Sequence, residues 1–529
     1  MGNQVMLQKP LTKIIDAGRE IERLLQFGLQ RGMIGCMDVN VIRNQFLDLF
    51  NLSEPYLGEL PEEILETAGE ILNKLVIYAA DHHMFKIENI AHRVLFETRL
   101  MGLLMPRASE VTQRFYDYYH QVSPQKATDY LYRLSVDSNY IRMSEIRNNI
   151  SWQTQTDYGT LEITINLAKP EKDPWQIAQE RFKQSDRYPK CLLCPENAGY
   201  AGRSDYPARQ TLRMVPVSIN GETWYLQYSP YVYYNEHCII LSQKHQPIKI
   251  DRQTFTGILD FIKYFPHNFC GSNADLPIVG GSILSHNHYQ GGVHTFPIHQ
   301  AKVIRQFKHT QFPDIGISLI KWPLSTIRLA SYSPSQLADF AGHIFQHWLN
   351  YCDPAVDIQS AGFDQDKQIE VQHNTISPIA RINPDGLYEM DLVLRNNRTD
   401  DRYPSGIFHP HPEIHHIKKE NIGLIEVMGL AILPGRLQKE LSAIKSILVG
   451  EHPSALVDGP ENMLSKHRDW IIELTGRYGT SCAPEIADKI LKDAVGNRYM
   501  LGLEHAGVFK QTDSGLSAFS CFMNTAGCH

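Results

Sequence analysis

Gly280-Gly281-Ser282-Ile283-Leu284-Ser285-His286-Asn287-His288-Tyr289-Gln290-Gly291-Gly292 is the most informative stretch of this 529-residue chain. In an extended backbone, side chains two apart share a side. His286, His288 and Gln290 are therefore expected in one row on one face, with Asn287 and Tyr289 opposite. Two imidazoles and an amide make poor core material, and the flanking glycines let a backbone approach a ligand closely. A neutral imidazole, the dominant form above its pKa of ~6.5, is a competent nucleophile toward phosphorus. Its phosphoramidate is reactive enough to pass the group on, and a neighbouring amide can donate to non-bridging phosphate oxygens as charge redistributes. A histidine-bearing loop or a structural metal site is the competing reading of the same residues.

Around this stretch the chain alternates strand-like and helix-like patterns. Ile163, Ile165 and Leu167 alternate with polar residues, and Thr211 to Ile219, Glu222 to Tyr228, Cys238 to Leu241 and Ile278 to Leu284 are strand-like runs between Gly and Pro turns. Asp251 to Tyr264 reads as a helix, as does Ser335 to Leu349, while Tyr388 to Leu394 reads as a strand and the tail after 432 as mostly helical. The first 150 residues read as helical. Ile14, Ile21, Leu24 and Leu25 recur at helix spacing; Pro61-Glu62-Glu63 opens a second helix whose apolar face runs from Ile64 to Val76; a third spans Ile90 to Leu104 and stops at Pro106. Asp81-His82-His83 reads as a solvated helix end rather than a metal site. The expected architecture is α+β, with a helical region at 1–150, a half carrying the chemistry at 151–305, and a C-terminal half with a helical tail at 306–529.

Composition excludes several classes. At 43% hydrophobic and 21% charged residues the chain has ample apolar side chain for packed cores. The net charge of −7 speaks against binding long stretches of nucleic acid, which favours a basic excess, but admits small anionic substrates. No apolar run approaches the ~18–20 residues needed to span a bilayer. The start MGNQVMLQKP lacks a secretory pattern, and Met6 stands where a myristoylation signal needs Ser or Thr. Nine cysteines, mostly scattered, suit reduced thiols and a cytoplasmic location.

Two further clusters carry chemistry. In Lys190-Cys191-Leu192-Leu193-Cys194-Pro195-Glu196-Asn197, the CxxC is half of a tetrahedral zinc site or a redox pair. No second CxxC follows, so further zinc ligands would be histidines, with His237, His245 and the His286/His288 pair nearest in the chain. Phe408-His409-Pro410-His411-Pro412-Glu413-Ile414-His415-His416-Ile417-Lys418-Lys419-Glu420-Asn421 runs into the apolar Ile422 to Leu433, and suits a metal, a sugar phosphate or a plain polar loop.

His286-Asn287-His288-Tyr289-Gln290 resembles the H-x-H-x-Q signature of the nucleotide-transferring branch of the histidine-triad superfamily. Asn273 to Gly292, Tyr188 to Cys194 and Phe408 to Leu433 together resemble galactose-1-phosphate uridylyltransferases of the second, bacterial class, and the resemblance covers nearly the whole chain. It implies two histidine-triad-like halves with mainly antiparallel sheets after the helical region. It also implies exchange of UDP-glucose and galactose 1-phosphate for UDP-galactose and glucose 1-phosphate, without an organic cofactor, nucleic acid or membrane, and is compatible with a homodimer. By the resemblance, His288 takes the uridylyl group and Gln290 holds the phosphate oxygens; Gly281, Ser282, Lys418 and Lys419 are expected to bind substrate. A structural zinc would sit on Cys191, Cys194, His245 and His286. The family's second metal site needs a glutamate shortly after the motif; residues 291–305 contain none, so that site is not expected, although His409 and His411 resemble its histidines. A nucleoside diphosphate-sugar phosphorylase or dinucleoside polyphosphate hydrolase of the same superfamily, and a non-catalytic zinc-stabilised scaffold, are the alternatives.

Overall fold

The computed structural model describes residues 15–85, 87, 89–168, 188–364, 368–451 and 462–529. Ile14, the N-terminal decapeptide and residues 452–461 of the tail lie outside these. The chain divides into two compact units: Met1–Arg142 with Pro195–Val215, and Met143–Cys194 with Pro216–His529.

The first unit is helical. Its helices include Ala17–Gln30, Val39–Leu49, Gly69–Asp81, Ile90–Leu103, Ala108–Gln121 and Pro124–Asp137. Asp16, Asn89 and Ser123 each accept a backbone N–H at a helix start, which satisfies a donor the helix cannot. The second predicted helix begins eight residues late, at Gly69 rather than Pro61. The cause lies in the first helix. Gln30 Nε2 donates to the Glu63 carbonyl (2.8 Å), Arg31 Nη2 donates to the Leu65 carbonyl (2.6 Å), and Leu65 N donates to Gln30 Oε1 (3.0 Å). Those backbone groups are committed to side chains and cannot join a helical ladder.

The second unit is organised by one long sheet. The strands, in chain order, are β1 (Ile150–Thr156), β2 (Gly159–Asn166), β3 (Val215–Ile219), β4 (Glu222–Tyr228), β5 (Cys238–Ser242), β6 (Phe269–Gly271), β7 (His288–Gly292), β8 (Val303–Phe307), β9 (Gly316–Ile320), β10 (Thr326–Ser331), β11 (Ala361–Asp364), β12 (Ile369–Gln372), β13 (Asn374–Ile382), β14 (Tyr388–Asn396) and β15 (Leu430–Pro434). Ten of them form a sheet in the order β3-β4-β5-β7-β6-β13-β14-β10-β9-β8, antiparallel at every step from β4 to β8. Read inward from its two edges, the sheet repeats one plan: three strands, a helix, an innermost strand, and a strand that inserts beside the third. The helices are Arg252–Tyr264 in the first half and Pro334–Leu349 in the second, and the halves meet where β6 pairs with β13. This is the α+β, two-half antiparallel architecture expected from the resemblance.

Asp251 and Ser333 cap those two helices, and Phe255 and Phe345 meet edge-on between them at 6.0 Å. The opposite sheet face contributes Phe269, Ile379 and Val393 to a core completed by Leu161, Ile163 and Ile165 of β2, Trp322, and Leu424 to Leu433. There β15 pairs with β2 in parallel, and β1 pairs with β2 antiparallel. Two predicted strands do not form as expected. The run from Thr211 is extended only from Val215, and Ile278 to Leu284 is irregular, with Ile278 at φ +71°. The glycines explain the second: a Cβ on Gly280 would stand 2.6 Å from the Ala274 carbonyl oxygen, and one on Gly281 2.6 Å from the Asn273 amide. Both residues serve close backbone packing instead of a ladder.

Candidate active site and metal centre

The cysteine pair sits on a tight turn in which Cys194 N donates to the Cys191 carbonyl (3.2 Å). The two Sγ atoms are 3.5 Å apart, too far for a disulfide. Cys191 Sγ lies 3.3 Å from His286 Nδ1, and Cys194 Sγ lies 3.1 Å from His245 Nδ1 and 3.7 Å from His286 Nδ1. All four donor atoms fall within 4.8 Å of one another, as donors sharing one tetrahedral ion must. His286 Nε2 donates to the Ser242 carbonyl (2.8 Å), so its Nδ1 carries the lone pair that faces the sulfurs. The donor set of two thiolates and two imidazoles fits zinc. His245 reaches this place because the turn after β5 lies along the segment that enters β7. Ser242 N donates to the Asn287 carbonyl (3.0 Å) and Asn287 N to the Gln246 carbonyl (2.6 Å).

Regular strand begins only at His288, so the expected row divides. His286 stands before the strand with its ring on the cysteines, while His288 and Gln290 alternate on β7. Tyr289 turns to the helix face, stacked on Trp224 at 4.7 Å. His288 is buried, and its Nδ1 donates to the His286 carbonyl at 2.7 Å. Nε2 is then the lone-pair nitrogen. Burial, with His286 adding to it against that hydrogen bond, pushes the imidazole down to about 4, so the ring is neutral at pH 7.

Gln290 Oε1 faces His237 Nε2 at 3.2 Å. Burial pushes His237 down to about 3, which keeps it a neutral donor to that oxygen and turns the amide nitrogen of Gln290 away from it. From the sequence His237 is expected only as a candidate zinc ligand; in the fold its ring faces the Gln290 side chain instead. No spacing signal marks it, because the contact runs between neighbouring strands.

Gly281 is half-buried and Ser282 exposed in the loop before His286. That loop meets the C-terminal motif: Asn421 Nδ2 donates to the Gly280 carbonyl (3.2 Å), and Leu424 N donates to Asn273 Oδ1 (2.9 Å). Lys418 is buried, with Nζ donating to Glu426 Oε1 and to the Ile432 carbonyl, both at 3.1 Å; Lys419 is exposed.

The four histidines of the motif do not converge. His411 is sandwiched between Tyr403 and His505, each at 4.0 Å, and donates from Nε2 to the Ile407 carbonyl. Although His411, Glu413 and His505 cluster as potential metal donors, His505 Nδ1 already accepts from His411 N and its Nε2 faces Glu413 at 3.4 Å. His415 donates to the Pro410 carbonyl, and His416 meets His467, which in turn meets Glu440. In the first unit, His82 stacks on Tyr78 at a helix end. Among the described residues, no helix is long and apolar enough to cross a membrane.

Residues 36–247 match the family model described as galactose-1-phosphate uridyl transferase, N-terminal domain, and residues 260–469 match the corresponding C-terminal domain. Galactose-1-phosphate uridylyltransferase of Caldanaerobacter subterraneus subsp. tengcongensis is 52% identical across 97% of this chain and 98% of its own length. The proteins of that name from Clostridium acetobutylicum and Halalkalibacterium halodurans are 49% and 46% identical, each across 96% of this chain and 99% and 98% of their own lengths. With both domain models matched and such relatives aligned almost end to end, this chain belongs to the galactose-1-phosphate uridylyltransferase family.

Proposed function

We propose that the chain is a cytoplasmic UDP-glucose–hexose-1-phosphate uridylyltransferase of galactose metabolism that works by double displacement through His288. The observation that carries this reading is the hydrogen bond from His288 Nδ1 to the His286 carbonyl, which leaves Nε2 of a neutral ring as the nucleophile. Nε2 attacks the α-phosphorus of UDP-glucose. The bond from that phosphorus to the bridging oxygen breaks, and glucose 1-phosphate leaves. A phosphate oxygen of galactose 1-phosphate then attacks the same phosphorus, the P–N bond breaks, and UDP-galactose departs from a neutral His288. One phosphate ester replaces another, so the equilibrium lies near unity and needs no external energy.

Gln290 donates from its amide nitrogen to the non-bridging oxygens as they gain charge. The Gly281–Ser282 backbone approaches the substrate phosphates, and Lys418 or Lys419 contacts the hexose phosphate. Cys191, Cys194, His245 and His286 would hold one zinc, which supplies a structural cross-link between loops. Residues 151–305 form the catalytic half, and the chemistry requires no organic cofactor.

Incubation with UDP-glucose and no acceptor is expected to leave a uridylyl group on the peptide containing His288, read by mass spectrometry as an acid-labile, alkali-stable adduct. An adduct on His286 instead overturns the assignment. Discharge of that adduct by inorganic phosphate or water, and not by galactose 1-phosphate, would move the chain to the phosphorylases or hydrolases of the superfamily. Elemental analysis is expected to find about one zinc per chain; zinc-free protein with intact activity refutes the metal assignment.

A further inference from the structure

Arg395 closes β14 and is fully buried. Among the described residues, Nη1 alone has a partner, the Ile422 carbonyl at 3.0 Å; Nε and Nη2 donate to none of them. Glu426, the carboxylate that acts on this charge, does not answer it. Glu426 accepts from Lys418 Nζ through Oε1 and from Gly423 N through Oε2 (3.2 Å). A guanidinium cannot shed its proton to escape such a place, so a buried charge with two idle donors calls for an acceptor from outside the chain.

His409 is close enough for the Arg395 charge to act on its ring. The ring is 3% exposed, and burial together with the Arg395 charge pushes it down to about 4, so it is a neutral donor and acceptor. Among the described residues its nitrogens reach no partner at good hydrogen-bonding geometry, although the Asn421 side chain and the backbone of Pro410 are its polar neighbours. Gly406, at φ +116°, permits this approach: a Cβ there would stand 2.8 Å from His409 Cβ and 3.0 Å from Ile278 of the glycine loop.

The sheet register relates this pair to the nucleophile. Gln290, Gly271, Ile379 and Asp391 are cross-strand partners in one row, so their side chains share a face. Moving the same way along the antiparallel strands, His288 lies two residues beyond Gln290, and Arg395 four residues beyond Asp391. Arg395 is thus on the face and toward the end of the sheet that carry His288, three strands away, at a Cα separation of roughly 16 Å from strand spacings.

We propose that Arg395 and His409 form a phosphate-monoester site that takes the phosphoryl group of hexose 1-phosphate. A planar fork of donors beside a neutral imidazole suits a tetrahedral dianion. This inference rests on the transferase reading for the identity of the ester, while the anion site itself stands on the geometry. His409 comes from the motif that also holds Lys418, and Arg395 from β14.

The test is calorimetric binding of glucose 1-phosphate, inorganic phosphate and uridine to the full-length parent, Arg395→Met and His409→Asn. Loss of a charged hydrogen-bond donor predicts roughly ten- to hundredfold weaker binding of glucose 1-phosphate and phosphate to Arg395→Met. His409→Asn is expected to weaken both less, and binding of uridine, which carries no phosphate, should stay within about twofold in each variant, which also shows that it folds. If Arg395→Met fails to bind uridine, His409→Asn decides. Unchanged binding of both phosphate probes in the folded variants overturns the site. Phosphate that binds the parent without competing against glucose 1-phosphate overturns its assignment to the hexose ester. Failure of the parent to form the His288 adduct defeats the transferase reading separately, and the inorganic phosphate arm still decides the anion site.

Discussion

The two halves of the ten-stranded sheet share a strand plan, yet the equivalent strands carry opposite chemistry. On β7, His288 and Gln290 are neutral groups with a lone pair or an amide directed away from their protein partners. On β14, in the same cross-strand row, Asp391 is buried and accepts from Arg328 Nε (2.7 Å) and Nη2 (2.9 Å) and from Arg381 Nη1 (2.9 Å). Burial pushes that carboxyl up, but the two guanidiniums outweigh it and hold the group below the usual carboxylate range. Arg328 also donates to the Ile298 carbonyl, and Arg381 pairs with Glu389. Every charge in the second cluster is answered from within, which makes it a structural joint. His288 and Gln290 leave their capacity open, as Arg395 does farther along β14, and chemistry needs that capacity. A duplicated fold does not duplicate a site; the site lies where hydrogen-bonding potential is left unanswered.

Breaking the first half should give the largest effect. His288→Asn keeps a polar side chain but removes the nucleophile, so both adduct and turnover should vanish; measurable turnover would show that the lone pair on β7 is not the reacting one. Next comes the second half. Asp391→Ala leaves two buried guanidiniums without their shared carboxylate and should cost about 3–5 kcal/mol of stability, measured by urea unfolding, with any adduct formed still on His288. Unaltered stability would contradict the structural role given to that cluster. Gln290→Ala removes one phosphate-oxygen donor and should slow adduct formation by about 10²–10³, followed by quenched-flow mass spectrometry. The smallest effect tests the orienting contact. His237→Phe retains a ring against Tyr234, 4.6 Å away, but no longer holds the Gln290 amide. Loss of a hydrogen bond worth ~1 kcal/mol predicts about fivefold slower uridylylation. A rate equal to the parent's would mean that Gln290 is positioned without His237.

Local pattern made much of this molecule legible. The strand-like runs Glu222 to Tyr228 and Tyr388 to Leu394 and the helical stretches Asp251 to Tyr264 and Ser335 to Leu349 are legible because such signals depend only on near neighbours. The glycine-flanked H-x-H-x-Q stretch marked the site for the same reason: its residue types suit a ligand and not a core. What lay beyond the sequence depends on contacts between distant segments. Periodicity promised a helix from Pro61 and a strand from Ile278, but side chains of the first helix hold the one and packing against Asn273 and Ala274 shapes the other.

The sequence by itself determined that a CxxC and a histidine row exist; from the residues alone, three histidine sources remained open as partners of the cysteines. Tertiary structure brought His245 and His286 to them, across separations of 51 and 95 residues, and sent His237 to Gln290. The physical reason is register. Pairing Leu241 with His288 lays the turn after β5 against the entry to β7, and no local propensity encodes which residues of two distant strands will face each other.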